Sequence, residues 1–221
     1  ENIAAANSVG GIEITWDKAA GADNYVIMRR EAGAEQWTKL VTRSAASTTL
    51  YKDTKVENGK TYEYDVNSAV GSFTTDTAEQ GVMISYLETP SVLSVSNTEN
   101  GIELTWKELE NASYYVVYRR AVGTDTDFKE YETVTTNTFV DSLVTDGKAY
   151  TYTVKAVNDY GESAVTKTGY TITRVPSAIV SSMATGADNV TVFWESVNGV
   201  NGYYVYRRTE ASAWEKVGSV R

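Results

Sequence analysis

Three arginine pairs, Arg29-Arg30, Arg119-Arg120 and Arg207-Arg208, are the most regular charged feature of this 221-residue chain. Adjacent guanidinium groups suggest an anion clamp, because arginine's planar fork matches carboxylate and phosphate oxygens. Each pair closes an alternating segment, however, and alternation sends neighbouring side chains to opposite faces. The two arginines of a pair therefore cannot grip one anion. Surface pairing with a nearby Asp or Glu is expected instead, worth under about 1 kcal/mol. The loops Thr124-Asp125-Thr126-Asp127 and Asp141 to Asp146 offer oxygen ligands for calcium, but not at the spacing of the twelve-residue helix–loop–helix site, so ordinary turn chemistry is expected. The chain has no histidine and no cysteine. The commonest general base, the commonest transition-metal ligand and the thiolate nucleophile are thus missing. No glycine-rich phosphate loop is present, and no Ser or Lys has a base partner in view. No residue is assigned a catalytic, cofactor-binding or metal-binding role, and the chain is expected not to be an enzyme.

Composition narrows the partners. Twenty basic and 29 acidic residues leave a net charge of −9, which disfavours nucleic acid and anionic membrane surfaces. No apolar run approaches the roughly 20 residues that span a bilayer. The lack of cysteine ordinarily points to a reducing compartment, but many bacterial surface proteins also avoid it. Asn111-Ala112-Ser113 and Asn189-Val190-Thr191 are formal glycosylation sequons, a pattern short enough to be read as chance.

The arginine pairs sit in a longer repeat. Gly11-Ile12-Glu13-Ile14-Thr15-Trp16 returns as Gly101-Ile102-Glu103-Leu104-Thr105-Trp106, and more loosely as Asn189-Val190-Thr191-Val192-Phe193-Trp194. The period exceeds the roughly 20 to 50 residues of a solenoid, so the units are domains. The two prolines, Pro90 and Pro176, each open a repeat, where proline's missing donor is tolerated. Boundaries are expected to give domains 1–88, 89–174 and a partial 175–221, joined by short apolar linkers. Sixteen tyrosines and abundant Thr and Val favour strands. Ile102 to Trp106 alternates at period two; Tyr114 to Arg120 reads as a central strand. Phe128 to Val134 and Asn137 to Asp141 are shorter, Tyr150 to Ala156 alternates without a break, and Lys167 to Thr173 closes the unit. Seven short strands with turn signals between them predict an immunoglobulin-like antiparallel β-sandwich.

Tyr150-x-Tyr152-x-Val154-x-Ala156-x-Asn158, followed by Gly161-Glu162-Ser163, resembles the sixth and seventh strands of a fibronectin type III domain. The Trp106 strand and the Tyr-x-Val after it are similar to that family's second and third strands. "Tyr-Arg" after the third strand, an aromatic in the fourth (Trp37, Phe128, Trp214) and an Asp near the fifth (Asp53, Asp141) resemble the variants of bacterial extracellular proteins. The resemblance covers essentially the whole chain. It implies that Tyr62 and Tyr150 are corner tyrosines bonding nearby backbone. Repeat one departs after Tyr62-x-Tyr64-x-Val66-x-Ser68, and a shorter loop is expected there.

The tryptophans of the repeated strand could stack on sugars, but alternation puts them in the core. The outward rows of the third strands are the candidate partner-binding face: Met28 and Arg30 with Val26; Val116, Tyr118 and Arg120; and Tyr204, Tyr206 and Arg208. Tyr and Arg are favoured interface anchors; the competing reading is that Thr151, Thr153 and Lys155 of the sixth strand cover the row. Repeat three lacks the counterparts of 150–173. A half-sandwich would expose Trp194, Tyr203 and Val205, at about 1.5 to 3 kcal/mol per large side chain. Either the sequence is a piece of a longer array, or strands from another chain complete the unit. The expected role is a non-catalytic spacer or presentation module of a bacterial secreted or cell-wall-attached protein. The alternatives are a protein- or glycan-binding adhesion module, or accessory domains of a secreted polysaccharide-degrading enzyme. Expected partners are neighbouring domains of a longer chain and a protein or glycan, with no cofactor, no nucleic acid and no membrane insertion.

Overall fold

The computed structural model describes residues 2–221, and those residues form strands and turns without a helix. Repeat one contains β1 (Ile3–Ser8), β2 (Gly11–Trp16), β3 (Asn24–Glu31), β4 (Thr38–Ser44), β5 (Leu50–Asp53), β6 (Thr61–Val70), β7 (Phe73–Thr74) and β8 (Val82–Ser85). Strands β1-β2-β5 make one antiparallel sheet; β4-β3-β6 make the other, with β7 and β8 both pairing with β6. Repeat two repeats this plan with β9 (Val92–Thr98), β10 (Gly101–Trp106), β11 (Tyr114–Ala121), β12 (Lys129–Val134), β13 (Thr138–Asp141), β14 (Ala149–Asn158), β15 (Gly161–Glu162) and β16 (Tyr170–Thr173).

The period-two pattern becomes burial. Ile12, Ile14 and Trp16 from one sheet meet Tyr25, Ile27, Tyr62, Tyr64 and Val66 from the other, all within 5% exposure. The second core matches it with Ile102, Leu104, Trp106, Tyr115, Val117, Tyr152 and Val154. Tyr86 packs in the first core and Leu87 in the second, so the chain crosses between units over one peptide bond.

Two expectations need correction. The closing strand, expected over Lys167 to Thr173, is observed as two short pieces. β7 and β15 pair with one end of the sixth strand and β8 and β16 with the other, separated by an irregular lid over residues 75–81 and 163–169. Nor is the hairpin after β6 shorter. Val70 pairs with Phe73 and Asn158 with Gly161, two residues between them in each case. Repeat one turns on Gly71 at φ 57°, a conformation cheap only for glycine. Repeat two turns because the Asn158 side chain accepts the Tyr160 N–H at 3.0 Å.

Repeat three has only β17 (Val180–Thr185), β18 (Val190–Trp194), β19 (Tyr203–Arg207) and β20 (Glu215–Val220). They form two separate two-stranded sheets, β17-β18 and β19-β20. The same β-bulge interrupts all three third-strand pairings, at Ile27/Met28, Val117/Tyr118 and Val205/Tyr206.

Candidate binding face

Each arginine pair splits across its sheet, as alternation requires. Arg29 turns toward the core edge and donates to Asp53 at 2.7 Å; Arg119 does the same to Asp141 at 2.8 Å. These are not surface pairs. Both aspartates are only 1% exposed, because the fifth strand turns this side chain inward between the sheets. Asp53 also accepts the Tyr64 hydroxyl at 2.9 Å and the Lys55 N–H at 2.9 Å. Asp141 accepts from Tyr152, from Tyr131 and from the Leu143 N–H. Tyr131 reaches it because the bulge on β12 aims that residue inward, and Arg119 stacks 3.7 Å from its ring centroid. Burial, the bond to Asp141 and its charge together push the Tyr131 hydroxyl up to about 12. Burial and the aspartate likewise raise Tyr64 and Tyr152. Burial alone would lower Arg29 and Arg119, but their aspartate bonds outweigh it and raise them. The three tyrosines stay neutral and the two arginines charged at neutral pH, so the lock is structural.

Tyrosine hydroxyls close the loops. Tyr62 accepts the Glu57 N–H and Tyr150 the Thr145 N–H, both at 3.0 Å. A second set was missed in the sequence. Tyr25, Tyr115 and Tyr203 accept from Ala19, Leu109 and Val197, six residues back in each repeat. The signal was a tyrosine at a constant nine residues after Trp16, Trp106 and Trp194. Trp16 and Trp106 lie edge-on to Tyr25 and Tyr115 at 5.5 and 5.4 Å, buried and not available to a sugar.

The outward rows differ by repeat. In repeat one, Met28 is half-buried, and Arg30 bonds Glu63 and the Glu79 carbonyl while stacking 4.5 Å from the Trp37 ring. The lid approaches so closely that a Cβ at Gly81 would collide with Trp37 and the Tyr64 carbonyl. In repeat two, Val116 is half-buried, Tyr118 donates to Glu130 at 2.7 Å and lies under Lys155, and Arg120 stacks 5.2 Å from Phe128. In repeat three the same positions are open: Tyr204 is 67% and Tyr206 52% exposed, and Arg208 stacks on exposed Trp214. The cause is plain, since no sixth strand or lid lies beside β19. The structure therefore brings the eight residues into equivalent positions on three separate faces, not into one patch. The aromatics Trp37, Phe128 and Trp214 each precede the fourth strand by one residue and roof the outer face beside the second arginine. Asp125 is a turn cap, accepting from the Ala121 N–H and Lys129; among the described residues no cluster of three metal-ligating side chains forms. No helix is long and apolar enough to cross a membrane.

No family model matches the chain. It is similar to the receptor-type tyrosine-protein phosphatase F of Danio rerio, 31% identical over 143 residues, which cover 58% of this chain and 8% of that protein. It is also similar to the amylopullulanase of Thermoanaerobacterium thermosulfurigenes, 26% identical over 113 residues, 51% of this chain and 6% of that one. The chain thus spans under a tenth of these relatives. Among solved structures, the chicken CNTN1 FN1-FN3 domains align with a TM-score of 0.40 and 16% identity, covering 78% of this chain and 66% of that one. A two fibronectin type-III domain segment from chicken tenascin aligns at 0.37 and 15%, covering 78% and 98%. The strand order of both complete repeats, with the Trp strand and the Tyr-x-Tyr strand facing each other across the core, makes this chain a tandem of fibronectin type III-like β-sandwiches, the third incomplete.

Proposed function

We propose that the chain is a non-catalytic spacer and presentation segment of a bacterial secreted or cell-surface protein. One observation carries this reading: the joint between repeats one and two is hydrogen-bonded, not a loose tether. The Ser85 N–H donates to the Tyr160 carbonyl at 3.1 Å, across the joint. Asn7 donates both to the Ser85 carbonyl at 2.7 Å and to the Glu162 carbonyl at 3.0 Å. Gly59, at φ 81°, lies so close to Asn111 of the next repeat that a side chain there would collide with it. Such contacts favour one mutual angle between the two sealed cores, which suits a spacer better than a flexible linker.

The natural absence of cysteine allows a direct test. Spin labels at Ser47→Cys and Leu143→Cys, both exposed, are expected to give one narrow distance by pulsed electron resonance, and Asn7→Ala is expected to broaden it. A broad distribution in the parent chain overturns the spacer reading. A second reading, accessory domains of a polysaccharide-degrading enzyme, draws on the amylopullulanase similarity. Retardation of the chain in a gel containing amylopectin would favour it.

A further inference from the structure

The two complete repeats present the same acceptor at one end and different hairpins at the other. At the acceptor end, Asn7 donates to the Ser85 carbonyl at 2.7 Å and Asn97 to the Thr173 carbonyl at 2.9 Å. These residues hold matching positions, Asn7 and Asn97 opposite Ile12 and Ile102, Ser85 and Thr173 opposite Thr61 and Ala149. The other end carries the turn after the sixth strand. It reads Val70-Gly71-Ser72-Phe73 in repeat one and Asn158-Asp159-Tyr160-Gly161 in repeat two. Val70 pairs with Phe73 and Asn158 with Gly161, so Phe73 is the counterpart of Gly161.

Gly161 is pressed against repeat one. A Cβ there would lie 3.0 Å from the Ser85 carbonyl oxygen, 3.4 Å from Asn7 Nδ2 and 3.4 Å from Ile84 Cγ1. Its own backbone does not require glycine, because its φ lies outside the left-handed region that Gly71 occupies at 57°. The demand for a missing side chain therefore comes from the neighbouring unit and not from the turn. The flanking carbonyls complete the grip, Tyr160 accepting the Ser85 N–H and Glu162 accepting from Asn7. Phe73, by contrast, is 81% exposed. β6 starts beside the joint, where the Tyr86 N–H donates to the Lys60 carbonyl, and its ten residues carry the Phe73 hairpin to the far end of repeat one.

We propose that Gly161 determines which unit the joint accepts. A unit with glycine at this hairpin position docks on the Asn–Ser end of the unit before it; a unit with phenylalanine there, such as repeat one, does not. The inference rests on the hydrogen-bonded joint proposed above. A phenyl ring on that Cβ has to enter where the hairpin backbone already meets the Ser85 carbonyl, and backbone cannot swing aside as a long side chain does. The ring thereby parts the Tyr160 carbonyl from its donor. The order of the repeats is thus written in one position: repeat two can follow repeat one, but a second copy of repeat one cannot take its place. Phe73 acts as the repulsive element of that specificity.

The test is made in the intact chain, with the spin labels at Ser47→Cys and Leu143→Cys. Gly161→Phe is expected to broaden the distance distribution about twofold or more, and to remove hydrogen-exchange protection of the Ser85 N–H. Gly161→Ala adds the Cβ alone and is expected to keep the distribution narrow. Phe73→Gly, at the far end of repeat one, is expected to change neither readout. Protection of the Ser163 N–H, which donates to the Ala156 carbonyl within repeat two, is expected to survive in every variant. A broad distribution in the parent chain overturns the spacer reading itself. A narrow parent with an equally narrow Gly161→Phe overturns the specificity of Gly161 alone. So does equal broadening by Gly161→Ala, which would place the demand in glycine's backbone freedom. Loss of Ser163 protection in Gly161→Phe would show that the edge of repeat two has itself come apart, and overturns it as well.

Discussion

Under its lid, repeat one buries Glu63, Asp65 and Asn67 on the outward side of β6; at the same three positions of β14, repeat two carries Thr151, Thr153 and Lys155. The backbone above them follows the same path in both. In repeat one, Glu63 accepts from Arg30 and the Gly81 N–H, Asp65 from the Ala78 N–H, and Asn67 donates to the Thr75 carbonyl and the Thr77 hydroxyl. In repeat two, hydroxyl bridges replace them: Thr151 with Thr171 and Thr153 with Thr166, while Lys155 reaches sideways to Glu162. What both repeats share is a glycine, Gly81 or Gly169, packed under Trp37 or Phe128. The lid's path is thus set by the close glycine–aromatic contact and the equal chain length. The polar groups beneath are met by different chemistry in the two repeats.

The largest effects should come from what the two repeats hold in common. Asp53→Ala and Asp141→Ala each strand a partly buried arginine and a buried tyrosine hydroxyl, and about 3 to 5 kcal/mol is expected for loss of one partner of such a pair. Asp141 receives two tyrosine hydroxyls where Asp53 receives one, so the Asp141 loss should be the larger. Urea unfolding of the two variants checks this; losses under about 1 kcal/mol in both would mean that the locks do not hold the sheets together. A smaller difference should separate the lids. Glu63→Ala leaves Arg30 facing an emptied site and should cost about 1.5 to 3 kcal/mol, the range for bonds to charged groups, whereas Thr151→Ala removes a neutral bond worth about 0.5 to 1.5 kcal/mol. Equal costs would show that the chemistry under the lid does not matter.

Much of this architecture was legible because alternation maps directly onto burial. Ile102-Glu103-Leu104-Thr105-Trp106 names its own inward face, and the structure buries those three apolar residues completely. The aspartate locks were not legible in the same way. Asp53 ends a strand, Leu50-Tyr51-Lys52-Asp53, whose residues look like surface, and its partners lie 24 and 11 residues away. Only the recurrence of the 11-residue Asp-to-Tyr spacing in both repeats carried the signal. The burial of the outward polar residues Glu63, Asp65 and Asn67 depends on a segment folding back over them. That is a property of chain path, invisible to local periodicity. The exposure of the candidate face depends on chain path in the same way. Met28 and Val116 lie on the outward side and are half-buried beside the adjoining strand and lid of their own repeat, whereas Tyr204 and Tyr206 of repeat three are open.

Acid should separate the two lids with the smallest effect of the series. Arg30's hydrogen bond holds the Glu63 carboxyl below its ordinary value of 4.5, against the opposing pull of burial and with help from the Gly81 N–H. A carboxyl depressed on folding lends stability that is complete above its ordinary value and disappears as pH falls through the folded one. Protonation removes the charge facing Arg30 and leaves the lid one strong acceptor short. Hydrogen-exchange protection at Gly81, whose N–H donates to Glu63, is therefore expected to drop as pH is lowered from about 6 to about 3, by opening of the lid alone. The Thr151–Thr171 and Thr153–Thr166 bridges contain no titrating group, so protection along β16 should hold over the same interval. Glu63→Gln should abolish the pH dependence at Gly81 while leaving repeat two untouched. If both lids lose protection together, acid acts on the sandwiches as wholes, and the contrast between charged and hydroxyl lids has no energetic content.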